Sequence, residues 1–402
     1  MAITYRKVDC ENQYASLWRN YSLPTEEAAG QVKGKIPEWL EGTLITNGPG
    51  IKKIGDQVYN HLFDGLAVLH RYLIKDGTVK YMDRALESEA YKKNIAANRI
   101  VVSEFGTAGF PDPCKTIFQR LHTTFQTLTG TNLSDSCAVS VGYYGDQLYA
   151  MTETNAIRRI DPEDLKVIGN KTVITDYVAI NHATAHPHVC KDGTIYNMGN
   201  NYSSAKGPHY VLAKIPPKFG SSDTCFKDAQ IVAEIPFSSK RFPSYYHSFG
   251  ITEDKLVFIE SPWRVDIIKL FRSVLTNKTI DTAMVWKENS KARLHVVSLH
   301  GGKIHPVIYE TEAFFAFHHI NAYEDDGHIV VDVAGYDRID KVLMTSAKGF
   351  TGDVSCIEHE STARRFVLPL NVENQSGDEN LVTLKYTKAR ANLTGTKDGK
   401  PV

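Results

Sequence analysis

Asn181-His182-Ala183-Thr184-Ala185-His186-Pro187-His188 leads into an Asp192-Gly193 turn and the strand-like Thr194-Ile195-Tyr196-Asn197-Met198. A tight Asp-Gly turn beside a short β-prone run is the unit from which the fold is read. The unit recurs along the chain. Residues 67–74 run into Lys75-Asp76-Gly77 and then 78–82, and 147–152 follow Tyr144-Gly145-Asp146. Further on, 256–260 follow Thr252-Glu253-Asp254, and 328–333 follow Asp325-Asp326-Gly327. Many short strands with regular turn punctuation predict an all-β protein. For a chain of 402 residues, radially repeated four-stranded blades of a β-propeller are the single-domain reading, with a pair of sandwiches as the alternative.

Around these units, residues 1–35 read as a polar lead-in, and 37–50 as a short strand closed by an Asn47-Gly48-Pro49-Gly50 turn. Two segments break the β rhythm. Residues 114–128 place Ile117, Phe118, Leu121 and Phe125 at helical spacing, and 262–275 do the same with Ile267, Ile268, Leu270, Phe271, Val274 and Leu275. Each reads either as a helix packed on the core or as an amphipathic lip lying on a membrane. The tail from Asn371 to Val402 is polar and reads as an exposed loop or frayed end.

Lys+Arg and Asp+Glu both total 46, so the formal charge is zero. That argues against the basic footprint of a nucleic-acid binder and against a polybasic membrane anchor. The hydrophobic share of 42% and aromatic share of 10% are those of a folded globular protein. Six scattered cysteines without a CxxC pair imply neither a zinc ribbon nor a disulfide framework. The first ten residues carry no apolar core, and no apolar run approaches the roughly 18 residues of a spanning helix. The expected setting is cytoplasmic and reducing.

Three imidazoles fall within seven residues of the opening stretch, which by itself is either a surface patch or a metal-ligand segment. Two further His-centred, aromatic-flanked segments follow. They are Pro243-Ser244-Tyr245-Tyr246-His247-Ser248-Phe249-Gly250 and Phe314-Phe315-Ala316-Phe317-His318-His319-Ile320-Asn321. His186, His247 and His318 are 61 and 71 residues apart, about one blade with its loops, so in a propeller they would converge on the axis. Neutral imidazoles suit iron, copper or zinc, and open coordination positions suit iron oxygen chemistry. Glu153 is a candidate acceptor that would fix one histidine's tautomer. No Gly-x-Ser-x-Gly elbow and no phosphate-cradling glycine loop is present.

With these segments go Trp39-Leu40-Glu41-Gly42, His61-Leu62-Phe63-Asp64-Gly65-Leu66-Ala67, Phe110-Pro111-Asp112-Pro113-Cys114-Lys115 and Arg364-Arg365-Phe366-Val367-Leu368-Pro369-Leu370. Together, in this order over residues 10–385, they resemble the animal branch of the carotenoid cleavage oxygenases. The resemblance implies a seven-bladed propeller with helical caps, carrying non-haem Fe(II) on its axis. His186, His247 and His318 would be metal ligands, Glu153 a carboxylate behind them, and Tyr245 a catalytic-site aromatic facing the polyene. Cys114 would lie in a peripheral membrane patch as a lipidation site. Substrates would be a carotenoid or retinoid and O2, with central cleavage of β-carotene to retinal first in order. Eccentric cleavage, retinoid isomerohydrolysis and a non-catalytic binding form are the alternatives. The family holds its metal with four histidines. No histidine follows His359 here, so the expectation is a single domain over 1–402 with three ligands and its closing blades missing.

Overall fold

The structure, a computed structural model, describes residues 19–21, 24, 26–110, 133–202, 204–220, 224–339, 361–372, 379–397 and 400–401. Five antiparallel sheets of three to five strands follow one another along the chain. The first holds Gly42–Ile51, Leu66–Lys75 and Thr78–Ala85 with short Ala28–Ala29 at its edge. The second is Ser140–Tyr144, Gln147–Met151, Ala156–Ile160 and Thr172–Val173. In the third, Ile195–Asn201, His209–Ile215 and Gln230–Pro236 follow an inner edge split into His182–Ala183 and His188–Val189. The fourth is Gly250–Ile251, Lys255–Glu260, Ala292–Ser298 and Tyr309–Thr311. The fifth is Phe315–Asp325, His328–Tyr336 and Thr362–Pro369. Among the described residues, only two α-helices interrupt this order: α1 (Glu89–Ala97) and α2 (Ile267–Leu275).

The sheets stack because their central strands are apolar on both faces. In Lys255–Glu260, Leu256 and Phe258 pack with Tyr196, Met198 and Tyr210 of the third sheet. Val257 and Ile259 point the other way, against Val331, Val333 and Leu368 of the fifth. The same period of two sends Ile195 towards Tyr149 and Ile157 of the second sheet, and Tyr196 towards the fourth. A strand buried on both faces reads as a continuous apolar run rather than an alternation. That accounts for Leu-Val-Phe-Ile at 256–259.

Three expectations change, and the helix α1 is an addition. Asn47-Gly48-Pro49-Gly50 continues the strand Gly42–Ile51, with a register break at Pro49, where a residue without an N–H is tolerated. The 262–275 segment starts as a strand, since Trp263–Val265 pairs with Met284–Trp286. The helix begins only after Asp266, whose carboxylate accepts from the Ile268 and Lys269 amides and caps it. The helix α1 carries little apolar periodicity; Ser88 caps it, and Asp135 accepts from its first two amides. In the tail, Val382 and Leu384 are buried against Val330 and Val367 instead of fraying. The 114–128 segment lies outside the described residues.

The turn at Gly145 gives a stability prediction. Its φ is +65°, and a Cβ there would sit 2.0 Å from the carbonyl oxygen of Lys218, in the loop after His209–Ile215. Gly145→Ala is expected to lower unfolding free energy by roughly 1–3 kcal/mol in urea titrations. A mutant within error of the parent would show that the loop moves aside.

A three-histidine candidate metal centre

The third, fourth and fifth sheets each offer a histidine in or beside a first strand, at a gap, a strand start or a register break. His186 lies in the gap between His182–Ala183 and His188–Val189. His247 precedes Gly250–Ile251, and His318 stands at a register break between Ala316 and His319. A broken ladder at His186 and His318, and a position before the strand at His247, free these side chains from strand alternation. Their ligand nitrogens lie within 4.8 Å of one another. The Nε2 atoms of His186 and His247 approach to 2.7 Å, and the His318 ring stands edge-on to both at 5.1 and 4.9 Å.

The surroundings favour neutral rings at His186 and His318. Burial, with His247 and His318 beside it, pushes His186 down to about 4. His318 is also lowered, first by burial and then by His247. Glu153 Oε1 lies 2.5 Å from His247 Nδ1, so the carboxylate takes that N–H and leaves Nε2 with its lone pair turned to the centre. The other Glu153 oxygen accepts from Tyr245 Oη at 2.7 Å. Tyr245 stacks on Phe315 and meets the Trp263 ring edge-on. Its hydroxyl bonds to Glu153 and lies 3.4 Å from His247 Nδ1, while the residue also lines the cavity. Three converging imidazole nitrogens, one of them paired on its far side with a carboxylate, fit a divalent transition metal.

A relay of hydroxyls holds the three segments in place. Ser140 Oγ donates to the Ala185 carbonyl at 2.5 Å, Thr184 Oγ1 to the His247 carbonyl, and Ser248 Oγ to the Phe317 carbonyl at 2.6 Å. Each bond runs from one sheet to the next and ends on a ligand histidine or the residue before one. His188 joins in, with Nε2 2.8 Å from the Phe249 carbonyl. Gly250 lets the fourth and fifth sheets approach here, since a Cβ on it would lie 3.2 Å from the His319 ring and 3.3 Å from Ala322.

The centre opens on a cavity of 2320 Å³. Phe63, Phe105, Trp263 and Phe317 line it, together with Leu270, Phe271 and Val274 of α2. Ring contacts run from Phe105 through Phe63 and Phe317 to His247, each at 6.0 Å or less. Such a volume exceeds ordinary small-ligand pockets and suits a long apolar molecule.

The retinal pigment epithelial membrane protein family model matches residues 19–393. The β,β-carotene 15,15′-dioxygenase of Rattus norvegicus is 39% identical over 381 residues, covering 93% of this chain and 67% of that protein. The chain belongs to this family. It is the carotenoid oxygenase family that the motifs resemble, and the chain spans about two thirds of the length of its curated relatives. The mitochondrial carotenoid-cleaving dioxygenase of Macaca fascicularis is 39% identical over 372 residues, covering 90% of this chain and 66% of that protein. A variant of the Synechocystis apocarotenoid oxygenase superposes with a TM-score of 0.70 at 19% identity, over 89% of this chain and 70% of that one. That places the sheet succession in the fold of a carotenoid oxygenase.

The structure thus brings together His186, His247, His318, Glu153 and Tyr245 of this family member. Cys114 lies outside the described residues. Sequence reading missed Ser140, Thr184 and Ser248, because their partners are backbone carbonyls 45, 63 and 69 residues away. His188 lies outside the ligand set and ties two sheets together.

Buried neutral histidines also set an acid limit. Burial pushes His61 and His182 down to about 4, as it does His186, and His319 to about 3. Unfolded histidines take protons near pH 6.5, so the unfolded chain binds more protons below that pH. The stability they give is complete above about pH 6.5 and drains away as pH falls towards 4. Metal-free protein is expected to lose at least roughly 2 kcal/mol between pH 7 and pH 5, read from urea midpoints. A flat profile contradicts the buried neutral state.

Proposed function

We propose that this chain is a non-haem Fe(II) dioxygenase that cleaves the central double bond of a carotenoid. One C=C and one O2 become two aldehyde C=O groups, retinal in the case of β-carotene. The observation that carries this reading is the convergence of His186, His247 and His318 over a long, aromatic-walled cavity. The names of the relatives, β,β-carotene 15,15′-dioxygenase and carotenoid-cleaving dioxygenase, support it. His186, His247 and His318 would hold the iron, and the bound metal would supply dioxygen activation. Glu153 keeps the His247 lone pair directed at the metal by taking the Nδ1 proton. Tyr245 gives its own proton to Glu153 in a hydrogen bond, which steadies that carboxylate, and turns its ring to the substrate. Phe63, Phe317 and Trp263 hold the polyene by apolar contact, fix which double bond lies beside the centre, and keep water out.

In this reading the five described sheets are blades of a seven-bladed design, and residues 1–402 belong to one domain. The protein is cytoplasmic and docks peripherally on a membrane. No helix among the described residues is long and apolar enough to cross one. Helix α2, which also lines the cavity, presents Ile268, Phe271 and Leu275 to the surface, 43%, 45% and 42% exposed. A lip of this kind would let a water-insoluble substrate enter directly from lipid.

Incubation of iron-loaded protein with β-carotene under ¹⁸O2, followed by mass spectrometry, tests the reaction. Labelled retinal is expected. Eccentric products would move the cleavage site, and absence of any aldehyde would contradict the proposal. For docking, Phe271→Glu is expected to reduce co-sedimentation with phosphatidylcholine vesicles about tenfold, and unchanged sedimentation would remove α2 from the membrane face.

A further inference from the structure

One buried carboxyl group on the cavity wall has no part in the chemistry above. Glu104 lines the cavity beside Phe105. Its Oε1 accepts from Ser134 Oγ at 2.7 Å, while Oε2 has only a 3.4 Å contact with Ser136 Oγ. The group is joined to the metal centre by a short bonded path. Thr154 Oγ1 donates to the Ser134 carbonyl at 3.1 Å, and Thr154 follows Glu153, the acceptor of His247.

Burial and the neighbouring carboxylates together set its ionisation. Asp135 is engaged by the Arg158 guanidinium, and Asp64 by the Gly106 amide and the Thr107 hydroxyl. Both therefore have the donors that a carboxylate needs, and Glu104 has only its serines. Burial, with Asp64 and Asp135 close by, pushes Glu104 up to about 8. A neutral carboxylic acid both donates and accepts a hydrogen bond. A carboxyl group on the cavity wall whose second oxygen has only a 3.4 Å contact gains free energy when a ligand's polar atom meets it.

We infer that Glu104, with Ser134 and Ser136, forms a polar subsite that binds an alcohol or aldehyde oxygen of an oxygenated polyene. Resting on the carotenoid reading, this divides the cavity by chemistry. Aromatic walls hold the hydrocarbon, and the Glu104 group selects chains that bear oxygen. The neutral carboxyl donates to an aldehyde oxygen, and with an alcohol it can also accept the hydroxyl proton. A hydrocarbon such as β-carotene leaves the subsite unused, so its binding is indifferent to the residue at 104.

The test follows quenching of tryptophan emission, since Trp263 lines the same cavity, by all-trans-retinol and separately by β-carotene. Glu104→Leu is expected to weaken retinol binding about tenfold, the cost of one unmade hydrogen bond in a dry site. It should leave β-carotene binding within about twofold. Glu104→Gln keeps a neutral donor and acceptor and should stay near the parent, which also guards against a folding defect in the leucine variant. Parallel loss of both ligands in Glu104→Leu assigns the residue to structure alone and overturns the inference, as does no change for either. If the unsubstituted chain binds neither ligand, the carotenoid reading itself fails, and this subsite with it.

Discussion

Replacing His247 by alanine is expected to weaken divalent-metal binding by at least about 100-fold and to abolish retinal formation. His247 carries more of the centre than His186 or His318. Its Nε2 faces the His186 nitrogen at 2.7 Å, its Nδ1 is bound to Glu153, and its carbonyl receives the Thr184 hydroxyl. Alanine removes one of three nitrogen donors and also leaves Glu153 with Tyr245 as its remaining partner. Thr184 still reaches the residue-247 carbonyl, so the sheet-to-sheet relay and the fold should survive. Metal content by mass spectrometry, read beside an unchanged circular dichroism spectrum, checks this. Full metal retention would move the centre elsewhere. Glu153→Gln should cost less, about 10- to 100-fold in metal affinity, because the ligand remains and only its orientation loosens.

Glu260→Ala is expected to produce the largest loss of stability, about 3–5 kcal/mol. Burial raises the Glu260 carboxyl, but His295, Arg264 and Ser238 outweigh burial and hold it at about 2. One oxygen takes Arg264 Nη1 at 2.9 Å, Ser238 Oγ at 2.5 Å and Tyr210 Oη at 3.3 Å; the other meets His295 Nε2 at 3.2 Å. Removing it strands the Arg264 guanidinium, which is 6% exposed, and an unpaired buried cation is among the most costly defects a core can hold. The damage also travels. Tyr210 Oη accepts from the Ser244 amide at 2.7 Å, so the segment that carries Tyr245 and His247 loses an anchor. Urea unfolding measures the loss, and metal affinity should fall with it. A loss below about 1 kcal/mol would mean that water or the Phe242 carbonyl satisfies Arg264.

The parts of the fold legible in the sequence were those written in local chemistry. Lys75-Asp76-Gly77 and Asp325-Asp326-Gly327 are turns with left-handed residues, and the runs beside them are strands because nothing but the turn residues must be read. The Asn47–Gly50 segment misled for the same reason. Its Gly and Pro are turn formers alone, yet pairing with Leu66–Lys75 outweighs that preference. In 262–275 the apolar positions hid a boundary that Asp266 marks as an N-cap. At the site, histidines flanked by aromatics were readable as candidates, and the Glu153 pairing could be expected once a carboxylate was sought. The hydroxyl relay was not readable, since Ser140, Thr184 and Ser248 look like any other small polar residues until sheet stacking sets them against distant carbonyls. Glu104 likewise reads as an ordinary surface residue. Only its burial, with Asp64 and Asp135 close by, raises its carboxyl above the usual range.

Titration of metal-free protein with ferrous ion under anaerobic conditions, followed by calorimetry, addresses the central assignment most directly. One equivalent bound per chain is predicted, with the heat lost when any of His186, His247 or His318 is alanine and retained when His188 or His319 is. Binding that ignores the three substitutions, or no binding by the parent chain, would contradict a metal centre built on these histidines.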